Sequence, residues 1–350
     1  MSEQNTKVAE PPVNTPAGHT TTKTNPFQDF LKGSAGRSLG LVIALALLIV
    51  VGAVTGGDRF MNFENMLTIL RLASIIGVIS IGVTFVITAG GIDLSVGSVM
   101  GLTTVIASLA SVQLAATQSS WLLLVVIALA VGAGAGLING VVIAYGKVVA
   151  FIATLAMMVA ARGLAELISG RSTQIISNRD FLRVMRSDLL GIPILIWIFV
   201  IVAVAGWFLL NRTTFGRRTI AIGGNLEASR LAGIKVKRHM VYLYALAGLT
   251  VGIAGLMMMG RTTAGTSTHG LYYELDAIAA VVVGGTLLIG GRGTIMGTVL
   301  GVLLFATLTN VFTQNNLDTS VQALAKGLIL VVAVMLQQRF ASRSSHRGKS

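Results

Sequence analysis

The sequence predicts an all-α, polytopic membrane protein of about ten spanning helices with both termini in the cytoplasm. Three observations carry that prediction. Hydrophobic residues fill 54% of the 350 positions and charged residues only 11%, whereas an ordinary soluble domain is about 25% charged. A soluble fold could not hide that much apolar side chain, because much of any globule's area faces water. Apolar runs recur at lengths near the roughly 20 residues that cross a bilayer core, and Lys and Arg gather in alternate loops.

Residues 1–38 are polar and contain Pro11, Pro12, Pro16 and Pro26, so this stretch reads as a disordered cytoplasmic tail. The first apolar run is followed by no small-residue cleavage signature and reads as a signal anchor. A transmembrane domain is expected over 39–337, with spans near 39–56, 66–89, 95–116, 121–145, 149–169, 189–210, 239–260, 275–290, 294–313 and 319–337. The remainder, 338–350, is a basic tail. With the N-terminus inside, the inner segments hold 17 of the 26 Lys and Arg residues and the outer segments six. Cytoplasmic retention of basic loops accounts for that bias, so the net charge of +13 needs no nucleic-acid partner.

Helix contacts are also written in the sequence. Gly132, Gly136 and Gly140 share one face of the fourth span, and Gly97–Gly101, Gly248–Gly252 and Gly297–Gly301 repeat the spacing. Small residues four apart let helix backbones approach closely in lipid. The pattern Gly90, Gly91, Gly97, Gly101 recurs 200 positions later as Gly290, Gly291, Gly297, Gly301, an echo that fits a duplicated half or a chance likeness of two short glycine-rich runs equally well.

Three stretches carry candidate function. Gly90-Gly91-Ile92-Asp93-Leu94-Ser95-Val96-Gly97-Ser98 puts a carboxylate between two apolar spans, costly unless it is satisfied. Asp93 or Ser95 is expected to cap the third helix. Alternatively the loop belongs to a translocation gate, since irregular backbone at depth survives beside protein or a watery cavity. The loop 211–238 contains a short helix with Asn225 as N-cap and Gly233 as stop. Leu226, Ala228, Leu231 and Ala232 give it an apolar face, and Glu227 and Arg230 lie elsewhere. So short a helix is marginal alone, and it either lies on the membrane surface or docks on a cytoplasmic subunit. In the third stretch, Glu274 and Asp276 open the eighth span on its outer side, where their simplest role is to cap and charge the helix start; a direct role in substrate recognition is the other reading.

At these stretches the sequence resembles the permeases of ribose-, xylose- and arabinose-type ABC importers, with branched-chain amino-acid permeases as more distant relatives. The GGIDLSVGS run at 90–98 is the most specific signature, followed by AIGGN at 221–225, YELDAIAAVVVGG at 273–285 and GGRGT at 290–294. Gly224, Asn225, Glu227, Ala228 and Gly233 fall in the segment that resembles the ATPase-docking motif of importer permeases. Membership implies import of a simple sugar across the inner or plasma membrane by two permease copies, identical or paralogous. It also implies a cytoplasmic ATP-binding subunit and an extracytoplasmic sugar-binding protein, with membrane lipid as the solvent and ATP and Mg held by the ATPase. The chain departs from the pattern by lacking a proline before Phe151-Ile152-Ala153-Thr154-Leu155.

Rival functions lack residues. An ion-coupled transporter needs ligands near the midplane, and Asp93, Glu166 and Asp276 are the only carboxylates in range, with Arg162 one turn from Glu166 to neutralise it. An enzyme would need a cluster of reactive groups, but Cys is absent and His19, His239, His269 and His346 show no ligand spacing. Gly140 to Gly146-Lys147-Val148 is no phosphate loop, having one residue too many and no Ser or Thr for magnesium. No catalytic residue, metal or bound cofactor is therefore expected. A non-sugar solute such as a branched-chain amino acid remains the alternative cargo.

Overall fold

The computed structural model describes residues 34–329, 331 and 335; the two tails, 1–33 and 338–350, lie outside them. The chain divides into two units, Met1–Arg37 and Ser38–Ser350, and apart from the first residues of one helix, 34–37, everything below concerns the second.

The architecture is helical. Its long helices are α1 (Ser34–Gly56), α3 (Phe63–Thr88), α6 (Leu122–Ala144), α7 (Ala150–Ser169), α9 (Ile194–Arg212), α12 (Val236–Thr262) and α14 (Ile295–Gln314). These seven are each long and apolar enough to cross a membrane, and among the described residues one bent pair, Val96–Ala107 with Ala110–Gln118, passes the same test taken together. Shorter helices are α2 (Asp58–Met61), α4 (Val96–Ala107), α5 (Ala110–Gln118), α8 (Arg179–Met185), α10 (Thr214–Gly224), α11 (Leu226–Leu231) and α13 (Tyr273–Val283). Residues 319–329 form a further helix; the rest of the expected tenth span, apart from 331 and 335, lies outside the described residues.

Two expected spans are corrected. The third, 95–116, is broken into α4 and α5, which meet at 57° around Ser108–Leu109. The eighth, 275–290, is helical only to Val283, and its 11 residues give about 16 Å, half a bilayer core. The sixth starts at Ile194, after a two-strand hairpin, β2 (Asp188–Leu189) with β3 (Ile192–Pro193). Helix α1 begins at Ser34, inside the stretch expected to be tail.

Close backbone contact organises the centre. Gly132, Gly136 and Gly140 of α6 sit against Gly248, Gly252, Tyr244 and Val241 of α12, with no room for a side chain at any of the three. Helices α3 and α14 run antiparallel, tied by Asn65 and Asn310, whose amide Nδ2 groups each donate to the other's Oδ1 at 3.1 and 2.8 Å, and by Thr84 to Thr298 at 2.8 Å. The core around them is apolar, with Ile75, Ile79, Phe85, Met100, Leu243 and Met257 fully covered.

Candidate functional site

The Gly90–Ser98 stretch forms an irregular, buried entrance to α4. Helix α3 ends at Thr88, and Gly90 takes a positive φ of 81°, a conformation that glycine adopts without steric cost. Asp93 is 2% exposed. Its Oδ1 accepts from the Ser95 backbone N–H at 2.9 Å and from Ser95 Oγ at 2.6 Å. Asn139 of α6 donates to Ser95 Oγ at 2.9 Å. The expected cap is thereby corrected: Asp93 closes a local turn, Ser95 spends its hydroxyl on Asp93, and no side chain caps α4. Two further side chains hold the loop through the Ile92 carbonyl, which accepts from Tyr244 Oη and Thr154 Oγ1, each at 3.3 Å.

Three glycine pairs converge behind this loop. Gly290 and Gly291, at φ 87° and 78°, make the turn between α13 and α14, and the Gly291 N–H donates to the Thr88 carbonyl at 2.9 Å. A side chain at Gly290 would meet the Gly90 nitrogen at 2.8 Å and the Gly223 carbonyl at 2.9 Å. A side chain at Gly223 would strike the Thr88 carbonyl and the Gly291 nitrogen, whereas Gly224 has open space beside it. The end of α3, the end of α10 and the 287–293 turn thus touch backbone to backbone. Beside them, burial pushes the Arg292 guanidinium below its ordinary value.

Helix α11 follows directly. Asn225 Oδ1 caps it by accepting from Ala228 N–H at 2.9 Å, and Gly233 ends it at φ 80°. Leu226 and Leu231 are 48% and 86% exposed, while Ser229 faces inward. Glu227 pairs with Arg230 in the open at 3.7 Å. Behind α11, Thr219 of α10 hydrogen-bonds to His239 of α12 at 2.8 Å.

The acidic pair stands in the first turn of α13 as expected, but neither residue caps the helix, whose N-cap is Tyr272 without a side-chain bond. Asp276 pairs with Lys326 at 3.1 Å, and both side chains are mostly covered. Glu274 is 9% exposed and lies against Gly97 of α4. The chain before α13 descends antiparallel to α4, with Gly265 against Ser108, Ser267 against Gly101 and Gly270 against Gly97. The α13 start is thus packed inside the protein beside the N-terminus of α4. Arg162, expected beside Glu166, donates from Nη1 to the His269 carbonyl at 3.2 Å, and Glu166 pairs instead with Arg171 at 3.1 Å.

The sequence reading did not single out Asn139, Thr154, Tyr244 or His269, and it took Arg162 only as a neutralising partner. The usable signal was a hydrogen-bonding side chain in an apolar span, which needs a partner.

Residues 65–336 match the family described as the permease component of branched-chain amino acid transport systems. The ribose import permease protein of Haemophilus influenzae is 42% identical over 298 residues, covering 84% of this chain and 90% of that protein. The corresponding Bacillus subtilis protein is 40% identical over 305 residues, covering 87% and 93%. The L-arabinose transport system permease protein of Escherichia coli is 36% identical over 324 residues, covering 89% and 94%. No solved structure matches the chain significantly. With nearly its whole membrane domain matched, this multi-pass chain belongs to that permease family.

Proposed function

We propose that this chain is the translocation subunit of an ATP-driven importer of a simple sugar in the inner or plasma membrane. Two permease copies would rest on cytoplasmic ATP-binding subunits, and an extracytoplasmic binding protein would deliver the sugar. The likeness to ribose and arabinose permeases supports the cargo class. Ten crossings with both termini inside rest on the loop charges; the alternation of sides between Thr88 and Gly291 is supported by how the loops gather. Thr88–Gly91, Gly223–Gly224 and Gly290–Gly291 meet at one side. At the other, Gln113 bonds to Ile175 and Ser177, and β1 (Gln174–Ile175) pairs with β4 (Ala264–Gly265).

The observation that carries the mechanism is the glycine junction. Helix α11 presents its exposed leucines outward, and the residue before its cap, Gly224, is bound into a chain segment that touches both irregular loops. A push on α11 is therefore delivered to the Gly90–Ser95 entrance and to the 287–293 turn through rigid backbone contact, with no flexible side chain to absorb it. ATP hydrolysis below would open or close the path above.

The test is uptake into proteoliposomes that hold the whole complex. Uptake should require internal-side ATP and the binding protein. Accumulation driven by a proton or sodium gradient without ATP would sink the importer reading.

A further inference from the structure

Helices α4 and α13 are both half-length, and both lack a side-chain cap at their N-termini. The two N-termini meet inside the protein, where Gly97 of α4 lies against Gly270 and the Glu274 carboxylate. A helix N-terminus presents unpaired N–H groups and a positive dipole end. Two of them facing one buried point make a concentration of donors away from water.

Glu274 supplies the second observation. Its side chain is 9% exposed, and Oε2 has no hydrogen-bond partner. The charged groups that act on the carboxylate are Arg162 and, with opposite effect, Asp276; its own backbone N–H also lies nearby. Arg162 forms no ion pair with Glu274 within 4 Å, and its Nη1 donates to the His269 carbonyl at 3.2 Å. A buried acceptor without a donor is costly and calls for an occupant or a role. A purely structural carboxylate at this place would be expected to close the bond to Arg162, and Glu274 leaves Oε2 without it.

We propose that Glu274 and Arg162, at the meeting of the α4 and α13 N-termini, form an intramembrane sugar-binding subsite. The chemistry fits a polyhydroxylated, uncharged ligand. Each sugar hydroxyl donates one hydrogen bond and accepts others. The carboxylate accepts from a pair of hydroxyls, and the guanidinium and the α4 N–H groups donate to their oxygens. Gly97 and Gly270 let the start of α13 close tightly onto α4, since a methyl at Gly97 would strike Glu274 and the Gly270 carbonyl. In the present conformation the subsite is closed over, with half-buried Arg162 and His269 on its approach and exposed Leu271 and Tyr272 at its rim. The subsite rests on the sugar-import reading above.

The test uses the complete complex in proteoliposomes with labelled D-ribose, L-arabinose and D-xylose as probes. Glu274→Gln keeps the shape and removes the charge. It should assemble and retain ATP hydrolysis stimulated by the binding protein, while sugar uptake falls about tenfold or more, the loss expected for one charge-assisted hydrogen bond. Uptake within about twofold of the unmodified complex in both Glu274→Gln and Glu274→Ala would overturn the subsite. A second measurement keeps the folded Glu274 in place. The chain has no cysteine, so Leu271→Cys, exposed at 51%, can be modified singly with a methanethiosulfonate. Sugar with binding protein should slow modification at 271 beyond the effect of binding protein alone; equal rates at 271 with and without sugar would overturn the proposal. Should the unmodified complex accumulate none of the three sugars, the sugar-import reading itself fails, a result distinct from normal uptake by the Glu274 variants.

Discussion

At the scale of single residues, Gly223 and Gly224 make a controlled pair. They are neighbours in sequence and both close α10, yet a methyl at Gly223 would strike the Thr88 carbonyl and the Gly291 nitrogen while one at Gly224 meets nothing within 4 Å. Gly223→Ala should therefore wedge the junction apart, at about 1–3 kcal/mol for overpacking, and lower transport more than ATP hydrolysis. Gly224→Ala should leave both unchanged. Paired melting and uptake measurements on the two variants decide the matter, and equal behaviour would mean that the junction transmits nothing. None of this specificity was legible beforehand. The sequence marks glycines as helix punctuation, but which glycine touches a distant backbone depends on chain ends 70 to 200 positions apart. Arg162 failed for the same reason, because its i+4 neighbour Glu166 was visible and its long-range partner at His269 was not.

At the scale of elements, α11 was the most legible part of the site, since caps and stops are local. Asn225, the six-residue helix and Gly233 fall where the capping pattern puts them. What changes is the role of Gly233. A side chain there would meet nothing within 4 Å, and its positive φ alone explains glycine, so it is a backbone stop and not a close contact within this chain. The better docking probe is Leu231, 86% exposed at the end of the helix. Leu231→Asp should abolish co-purification with the ATPase subunit while the purified permease keeps its melting temperature, since the side chain contributes nothing to its own core. Gly233→Asn, which tolerates the left-handed conformation, should retain assembly. Undiminished co-purification of Leu231→Asp would return α11 to the membrane surface. The half-helices α4 and α13 were not legible, because hydropathy counts apolar side chains and both halves of a broken span are equally apolar. The break is set by what the backbone meets at Ser108 and Val283.

At the scale of the whole molecule, composition and loop charge were enough to read an all-α multi-pass protein. They reach no further than that, because packing and not hydropathy decides whether a segment crosses once, bends or returns. The ten-crossing arrangement is tested by single cysteines placed in this cysteine-free chain. Position 180 should react with an impermeant maleimide in intact cells, and position 346 only after lysis. Reaction at 346 from outside would invert or shorten the arrangement.

The Asp276–Lys326 pair has an electrical consequence. A lone charge carried across the membrane potential exchanges about 2.3 kcal/mol per 100 mV with the field. Helix α13 holds Asp276 against a lysine from the helix over 319–329 at 3.1 Å, so the two move as a neutral dipole, and an uncharged cargo adds no charge of its own. Turnover should then be nearly the same in polarised and depolarised proteoliposomes clamped with potassium and valinomycin. Lys326→Met would leave the Asp276 charge uncompensated and make the rate depend on voltage; a variant as indifferent to voltage as the unmodified complex would show that α13 stays still in the field.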